Sequence, residues 1–127
     1  MKESILKEKA MDFAIRIVNL YHFLNDKKQE KIMAKQILRS GTSIGANINE
    51  GIYAESISDF IHKYAISQKE CAETLYWLEL LKRTQYIDQK QYDSLYQDCN
   101  ELHKMITSTI ITSKKSHYHH PQITHNS

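Results

Sequence analysis

All three glycines of this chain lie in one stretch, which reads Arg39-Ser40-Gly41-Thr42-Ser43-Ile44-Gly45-Ala46-Asn47-Ile48-Asn49-Glu50-Gly51. The apolar residues of this stretch recur at helical spacing, so the segment is predicted to be a helix. A glycine inside a helix costs up to about 1 kcal/mol relative to alanine. Gly41 and Gly45 stand one turn apart, and we expect their cost to be recovered by close packing of the backbone or by binding.

Outward from this stretch, apolar residues recur at alternating steps of three and four along four segments of the chain. This spacing aligns side chains on one face of a helix, so each segment is predicted to be amphipathic. The four predicted core stripes are Leu6, Ala10, Phe13, Ile17, Leu20 and Leu24; Ala34, Ile37, Gly41, Ile44, Ile48 and Gly51; Ile61, Tyr64, Gln68, Cys71, Leu75 and Leu78; and Tyr92, Leu95, Cys99, Leu102, Ile106 and Thr109.

The boundaries between these segments carry helix start and stop signals. Asn25 and Asp26 separate the first two helices, and capping-box spacings at 56–59 and 88–91 open the third and fourth. Short connections between amphipathic helices predict an all-α, antiparallel up-down-up-down four-helix bundle over residues 1–113. Residues 114–127 are rich in His, Ser and Lys and are expected to form a flexible tail.

Composition limits the function classes. The chain has 127 residues, which suits one domain, and its formal net charge of +2 is too small to indicate nucleic-acid binding by itself. Cys71 and Cys99 lie on apolar stripes, as reduced buried thiols do. No apolar run approaches the roughly 20 residues of a membrane span, and the N-terminus lacks a signal-peptide pattern. We expect a soluble, cytoplasmic protein that does not bind membranes.

Two helices carry a second face that a lone bundle would leave in water. On the second helix this face is a row of polar residues, and on the third it contains the one tryptophan of the chain. Because a helix that is apolar on two sides needs two partners, we predict a homo-oligomer. The alternative is that the tryptophan is covered within one subunit by the fourth helix or the tail. The predicted interface residues are Arg39, Ser43, Asn47, Glu50, Ile66, Glu73, Trp77 and Leu80.

The glycine-rich stretch resembles a bacterial family of four-helix bundles, the proteins encoded in intervening sequences of 23S ribosomal RNA genes, also called S23 ribosomal protein-like. The segments Ser58-Asp59-Phe60-Ile61-His62-Lys63 and Glu73-Thr74-Leu75-Tyr76-Trp77-Leu78-Glu79-Leu80-Leu81 extend the resemblance. Accessory proteins of diversity-generating retroelements are similar. The resemblance implies a pentameric ring that contacts RNA or a nucleic-acid enzyme, and no enzymatic activity. Asn49 stands where many members have alanine.

The residues themselves offer a basic ridge before the glycine stretch. Steps of three and four residues would place most of its cations on one side of the second helix, and a ring would repeat that side in every subunit. A solvated face is the alternative, and Lys104, Lys114 and Lys115 with the histidines of the tail could form a second basic arm. The predicted nucleic-acid-binding residues are Lys27, Lys28, Lys31, Lys35 and Arg39.

No pattern indicates an enzyme. A carboxylate-bridged di-metal site needs two Glu-x-x-His pairs, and the chain offers only Asp59 and His62 at that spacing. His117, His119 and His120 lack a second shell that would orient a metal, and neither cysteine has an activating cation on its stripe. We expect no catalytic residues, metal or cofactor. Two main functions remain open: an oligomer that binds RNA or DNA, or a partner protein, through its basic surface, and an oligomeric scaffold without affinity for nucleic acid. A metal-dependent enzyme is kept as a third alternative.

Overall fold

The computed structural model describes residues 2–119 and the side chains of residues 3–117. The chain leaves the first helix through one π-helical turn at Phe23–Lys27. Each helix packs antiparallel against the one before it, and the second and third share the most extensive interface. The predicted all-α four-helix bundle is confirmed. The helices are α1 (Lys2–His22), α2 (Ile32–Ile52), α3 (Ile57–Arg83) and α4 (Gln89–His119).

The bundle is closed by polar contacts between α1 and α4. Lys9 Nζ lies 3.2 Å from Glu101 Oε1, and Arg16 Nη1 lies 2.6 Å from Asp98 Oδ2. Arg16 also donates a hydrogen bond to Ser94 Oγ at 2.9 Å. These pairs are partly exposed, so each contributes at most about 1 kcal/mol. The apolar core supplies most of the stability, and the ion pairs link the two outer helices.

The core follows the predicted stripes of α1 and α2 completely, and it departs from them on α3 and α4. On α3, Ser67 and Thr74 are buried, whereas Gln68 and Leu75 are only half-buried. α3 turns these small polar side chains toward α2 because each finds a partner there. Ser67 donates to the carbonyl of Ile44 at 2.7 Å. On α4, Ile110 is buried and Thr109 half-buried.

Close packing, one of the two expected reasons, explains Gly41 and Gly51 but not Gly45. A Cβ atom on Gly41 would lie 2.7 Å from Ile17 Cγ1, and one on Gly51 would lie 2.8 Å from the ring of Tyr64. At Gly45 the nearest atom, Ala10 Cβ, would be 3.4 Å away. Gly41 therefore lets α1 approach α2, and Gly51 lets α3 approach α2.

The helix starts of α3 and α4 confirm the predicted capping spacings. Ser56 Oγ accepts a hydrogen bond from the Asp59 amide at 3.0 Å. Asp88 Oδ1 accepts from the Gln91 amide at 2.7 Å, and Gln91 Oε1 accepts from the Asp88 amide at 2.9 Å. These reciprocal bonds satisfy amides that the first turn of α4 leaves without partners.

α4 extends beyond the predicted end of the bundle at residue 113 and continues to His119. Residues 114–119 contain no helix breaker, and the one proline of the chain, Pro121, comes later. The rest of the predicted tail, residues 120–127, lies outside the described part of the chain. Within residues 2–119, no helix combines the length and apolar character that crossing a bilayer requires.

Candidate nucleic-acid and oligomer interfaces

The polar row of α2 faces α3 within the same subunit. Arg39 Nη1 lies 3.2 Å from Glu70 Oε2, and Arg39 Nη2 donates to Glu73. These hydrogen bonds raise the pKa of Arg39, and the bond from Arg39 is the main cause that lowers the pKa of Glu73. Further along, Lys63 Nζ donates to Glu50 at 2.9 Å. Both ends of the row are thus engaged across the α2–α3 seam.

The middle of the row bonds to its own helix. Ser43 Oγ donates to the Arg39 carbonyl at 2.6 Å, and Asn47 Nδ2 donates to the Ser43 carbonyl at 2.9 Å. Asn47 and Ser43 are half-buried rather than sealed. Their role as an interface between subunits stays a prediction, and any partner would meet side chains whose main hydrogen bonds are already made.

The predicted interface on α3 surrounds a half-buried indole. Trp77 packs against the core and donates from Nε1 to Glu73 Oε2 at 3.1 Å. Ile66 and Leu80 are half-buried, while the neighbouring Tyr76 is 60% exposed. The indole is not sealed within its own subunit, so the face still offers apolar surface. The assembly itself remains a prediction.

The basic ridge is not the helix face that the spacing suggested. α2 begins at Ile32, so Lys27 closes the π-helical turn, Lys28 follows it, and Lys31 precedes the helix. Helical spacing does not extend back to Lys28, so the predicted alignment of Lys28 with Lys31, Lys35 and Arg39 on one helix side was wrong. The error has a local cause: the chain reverses direction through Gln29, whose φ is 56°, which ends helical geometry there.

The structure nevertheless brings cations together at this end of the bundle. Lys82, from the end of α3, and Lys28 line one open cavity of about 720 Å³ between the α1–α2 and α3–α4 connections. Lys28 Nζ lies 5.6 Å from the centroid of the Phe23 ring, and Lys82 Nζ lies 4.4 Å from that of Tyr92. Sequence analysis missed Lys82 because it is distant in the chain. We call this group the loop-end patch: Lys27, Lys28, Lys31, Lys35 and Lys82.

Arg39 does not join this patch freely, because its guanidinium is bound to Glu70 and Glu73. Acidic side chains at the same end also have structural partners. Glu30 Oε1 accepts from the Ala34 amide at 2.9 Å and so caps α2, and Asp88 belongs to the capping box of α4. The four lysines of the α1–α2 segment, in contrast, are exposed. Asp26 and Asp88 at this end are also exposed, but each accepts a hydrogen bond within the fold.

A second apolar surface was not anticipated. Met11, Ile15 and Val18 of α1 are 56%, 53% and 38% exposed, and their spacing places them on one side of the helix. Beside Met11, a cavity of about 330 Å³ runs along α1 and α2 and includes Gly45 and Ala46 in its walls. The same three-and-four spacing that revealed the core stripe of α1 would have revealed this outer stripe.

Residues considered for enzyme chemistry are not assembled into a site. Cys71 and Cys99 are buried, and the pKa of Cys99 is raised, first by the hydrogen bond with the Cys71 side chain and then by burial. A raised pKa disfavours the thiolate that a nucleophile or metal ligand needs. Among the described residues, no three His, Cys, Asp or Glu side chains are grouped to hold a metal ion. His120 and the His119 side chain lie outside the described residues.

Comparison with known proteins places these features in a family. The family model described as 23S rRNA-intervening sequence protein matches residues 2–108. No curated protein sequence matches the chain. A solved structure from Bacteroides thetaiotaomicron, described as a protein of unknown function from the S23 ribosomal protein family, is 55% identical, with a TM-score of 0.86; the match covers 87% of this chain and 98% of that one. Neither description indicates an enzyme. The chain belongs to the 23S rRNA-intervening sequence protein family.

Proposed function

We propose that the protein is a non-enzymatic homo-oligomer, a pentameric ring by family resemblance, that binds nucleic acid through the loop-end patch. The observation that carries this proposal is the convergence of Lys28, from the α1–α2 connection, and Lys82, from the end of α3, on one open cavity. Binding of a phosphate backbone grows with the number of cations that contact it. A ring repeats the patch in every subunit, so a modest charge on one chain becomes a belt on the assembly.

The distribution of side-chain partners supports the same function. Lysines that serve the fold are tied to carboxylates, as Lys63 is to Glu50 and Lys9 to Glu101. In the loop-end patch, Lys27 and Lys35 are exposed and form no ion pair or hydrogen bond within the described part of the chain. Exposed cations without carboxylate partners are the ones that can exchange counterions for phosphate.

The test is binding of a fluorescent RNA and of a duplex DNA, each measured across a range of salt concentrations. Wild-type affinity should fall linearly on a double-logarithmic plot against salt. The variant Lys31→Glu/Lys35→Glu should bind more weakly, with the slope reduced by about 1.5 for each subunit that contacts the strand. The absence of binding by wild type at low salt would overturn the proposal.

The matched control is Lys69→Glu/Lys104→Glu, which changes the charge equally at exposed positions on α3 and α4. It should retain both the affinity and the salt slope of the wild type. If this variant lost affinity while the loop-end variant kept it, the binding site would lie on the second basic arm instead.

Self-association is the other half of the proposal, and it rests on the exposed aromatic surface around Trp77. Light scattering on wild type should give a multiple of the 14.9 kDa chain mass. Trp77→Glu should shift the mass toward the monomer. Because Trp77 also packs on its own core, Tyr76→Glu provides a second variant at a 60% exposed position. A monomeric wild type would contradict self-association.

An oligomeric scaffold that binds a partner protein and no nucleic acid is the second candidate. The outer stripe of α1 favours it, since Met11 and Ile15 are more than half exposed. Surfaces of this kind commonly meet other proteins. The nucleic-acid measurements above decide between the two, because a scaffold would show no salt-dependent binding to either probe.

A further inference from the structure

Two glutamines at the loop end adopt a backbone conformation that side chains usually avoid. Gln29 has φ 56° and Gln85 has φ 68°, and they are the only non-glycine residues of the described chain with positive φ. Each stands just after a helical segment, at the position where glycine normally takes the left-handed conformation. This conformation is energetically unfavourable for a residue with a Cβ atom. The presence of glutamine instead of glycine at these positions therefore needs an explanation.

The structure explains Gln29 but not Gln85. Gln29 Nε2 donates to the Asp26 carbonyl at 2.9 Å, so its side chain caps the end of the π-helical turn. The amide of Gln85 makes no hydrogen bond within residues 3–117. Its backbone amide donates to the Lys82 carbonyl at 3.0 Å, a bond that glycine would make equally well. The fold alone would therefore be better served by glycine at position 85.

Gln85 lies in the wall of the loop-end cavity, whose other walls have a distinct chemistry. Lys28 and Lys82 supply cations, and Phe23 and Tyr86 supply aromatic rings that are half-buried. Asp88 supplies one carboxylate, which accepts a hydrogen bond from the Gln91 backbone amide in the capping box of α4. The amide of Gln91, also in the wall, is already used, because its Oε1 accepts from the backbone of Asp88. Gln85 thus brings an uncommitted hydrogen-bond donor and acceptor to a space bounded by charge and rings.

Cations, rings and a free amide in one cavity are the groups that recognise an unpaired nucleotide. Lysines contact phosphates, aromatic rings contact the faces of unstacked bases, and an amide reads a base edge with a donor and an acceptor. A base-paired helix would reach the lysines but could not bring a base into the cavity. The cavity, at about 720 Å³, is large enough for a nucleotide.

We propose that the loop-end cavity holds one unpaired nucleotide of a single-stranded RNA, with the Gln85 amide on the base edge. The proposal rests on the function proposed above and adds a preference for single strands. The lysines of the patch give affinity for any phosphate backbone. Gln85 and the rings give the additional affinity that depends on an unstacked base.

The experiment compares a labelled oligouridine with a blunt RNA duplex of the same length, using the full chain. Wild type should bind both, and the single strand more tightly. Gln85→Gly should reduce affinity for oligouridine by about tenfold, the effect of losing a well-placed contact to a base, and leave duplex affinity unchanged. The same variant should raise the melting temperature, because glycine adopts the left-handed conformation without strain.

Gln29→Gly is the matched control, since it relieves the same backbone conformation at a residue outside the cavity. It should leave both affinities unchanged. A Gln85→Gly variant that keeps the wild-type preference for the single strand would overturn the cavity proposal, while salt-dependent duplex binding would still support the general function. If the wild type bound neither probe, both the cavity proposal and the proposed function would be overturned.

Discussion

The seam between α2 and α3 and the loop end of the bundle handle their polar groups in opposite ways. In the seam, the buried hydroxyl of Thr74 donates to Ser40 Oγ at 2.9 Å, and Ser67 donates to a backbone carbonyl. At the loop end, the exposed side chains of Lys27, Lys35 and Gln85 have no hydrogen-bond or ion-pair partner in the described chain. Polar groups that are hydrogen-bonded within the subunit indicate a structural role. Polar groups without a partner in the subunit indicate where a ligand would bind.

Gly41 and Gln85 show this difference at single residues. Glycine at 41 lowers the stability of the helix, but it allows Ile17 to approach closely, and this packing offsets the loss. Glutamine at 85 strains the backbone, and its side chain makes no hydrogen bond in the described chain that would offset the strain. The glycine-rich stretch, which first suggested a functional region, therefore serves the bundle, and the connection 84–88 is the better place to look for function.

Tyr64 is an exception among the buried polar groups near the α2–α3 seam, because its hydroxyl has no hydrogen-bond partner within the described residues. Burial, aided by the charge of Glu3, raises the pKa of Tyr64 from 10.0 to about 12. The unfolded chain then releases this proton at lower pH than the folded chain. The associated stability is complete below about pH 10 and declines as pH rises toward 12, by roughly 3 kcal/mol in total.

Tyr64→Phe should remove this alkaline decline and add about 1 kcal/mol at neutral pH, since it deletes an unsatisfied buried group. Urea unfolding of both proteins between neutral pH and pH 12 measures the difference. Tyr53→Phe, at a 73% exposed position, is the control and should behave as wild type. A neutral-pH loss of stability in Tyr64→Phe would mean that the hydroxyl is bonded in solution, for instance to a buried water.

Alanine substitutions at Gly41 and Gly45 test how closely α1 packs against α2 at each position. An alanine methyl at 41 would meet the branched Cβ region of Ile17 at 2.7–3.2 Å, so Gly41→Ala should destabilise the protein by about 2 kcal/mol. At 45 the nearest atoms are at ordinary contact distance, so the gain in helix propensity should dominate and Gly45→Ala should stabilise by up to about 1 kcal/mol. Thermal unfolding distinguishes them, and equal effects would contradict the packing explanation.

Sequence patterns specified the parts of the fold that depend on apolar spacing. They located every apolar core position of α1 and α2, though not the buried Ser40, and the capping box at Asp88 and Gln91. They did not reveal the rotation of α3, because Ser67 and Thr74 are polar types whose burial depends on partners in α2. They also missed the left-handed Gln85, since glycine is the usual signal for that conformation. The loop-end patch needed the tertiary structure because Lys82 and Lys28 are far apart in the chain.

The smallest effect is expected at the rim of the α2–α3 seam, where Arg39 is about half exposed. The lowered pKa of Glu73 means that its ion pair stabilises the fold above the ordinary carboxyl pKa and that this contribution is lost as pH falls below it. Exposure limits the contribution to less than about 1 kcal/mol. Arg39→Gln should therefore change the melting temperature little while it raises the pKa of Glu73 toward its usual value.

NMR titration of the Glu73 carboxyl measures that pKa, and the emission of Trp77, the one tryptophan of the chain, reports the neighbouring hydrogen bond. Arg83→Gln removes a different ion pair, the i,i+4 pair with Glu79 within α3, and should leave the Glu73 titration unchanged. An unaltered Glu73 pKa in Arg39→Gln would show that the indole alone holds the carboxylate. In that case Arg39, at one end of the polar row of α2, would be available for the contact between subunits. The polar side chains of the α2–α3 seam would then not all be engaged within the subunit, and the contrast with the loop end would not hold along the whole seam.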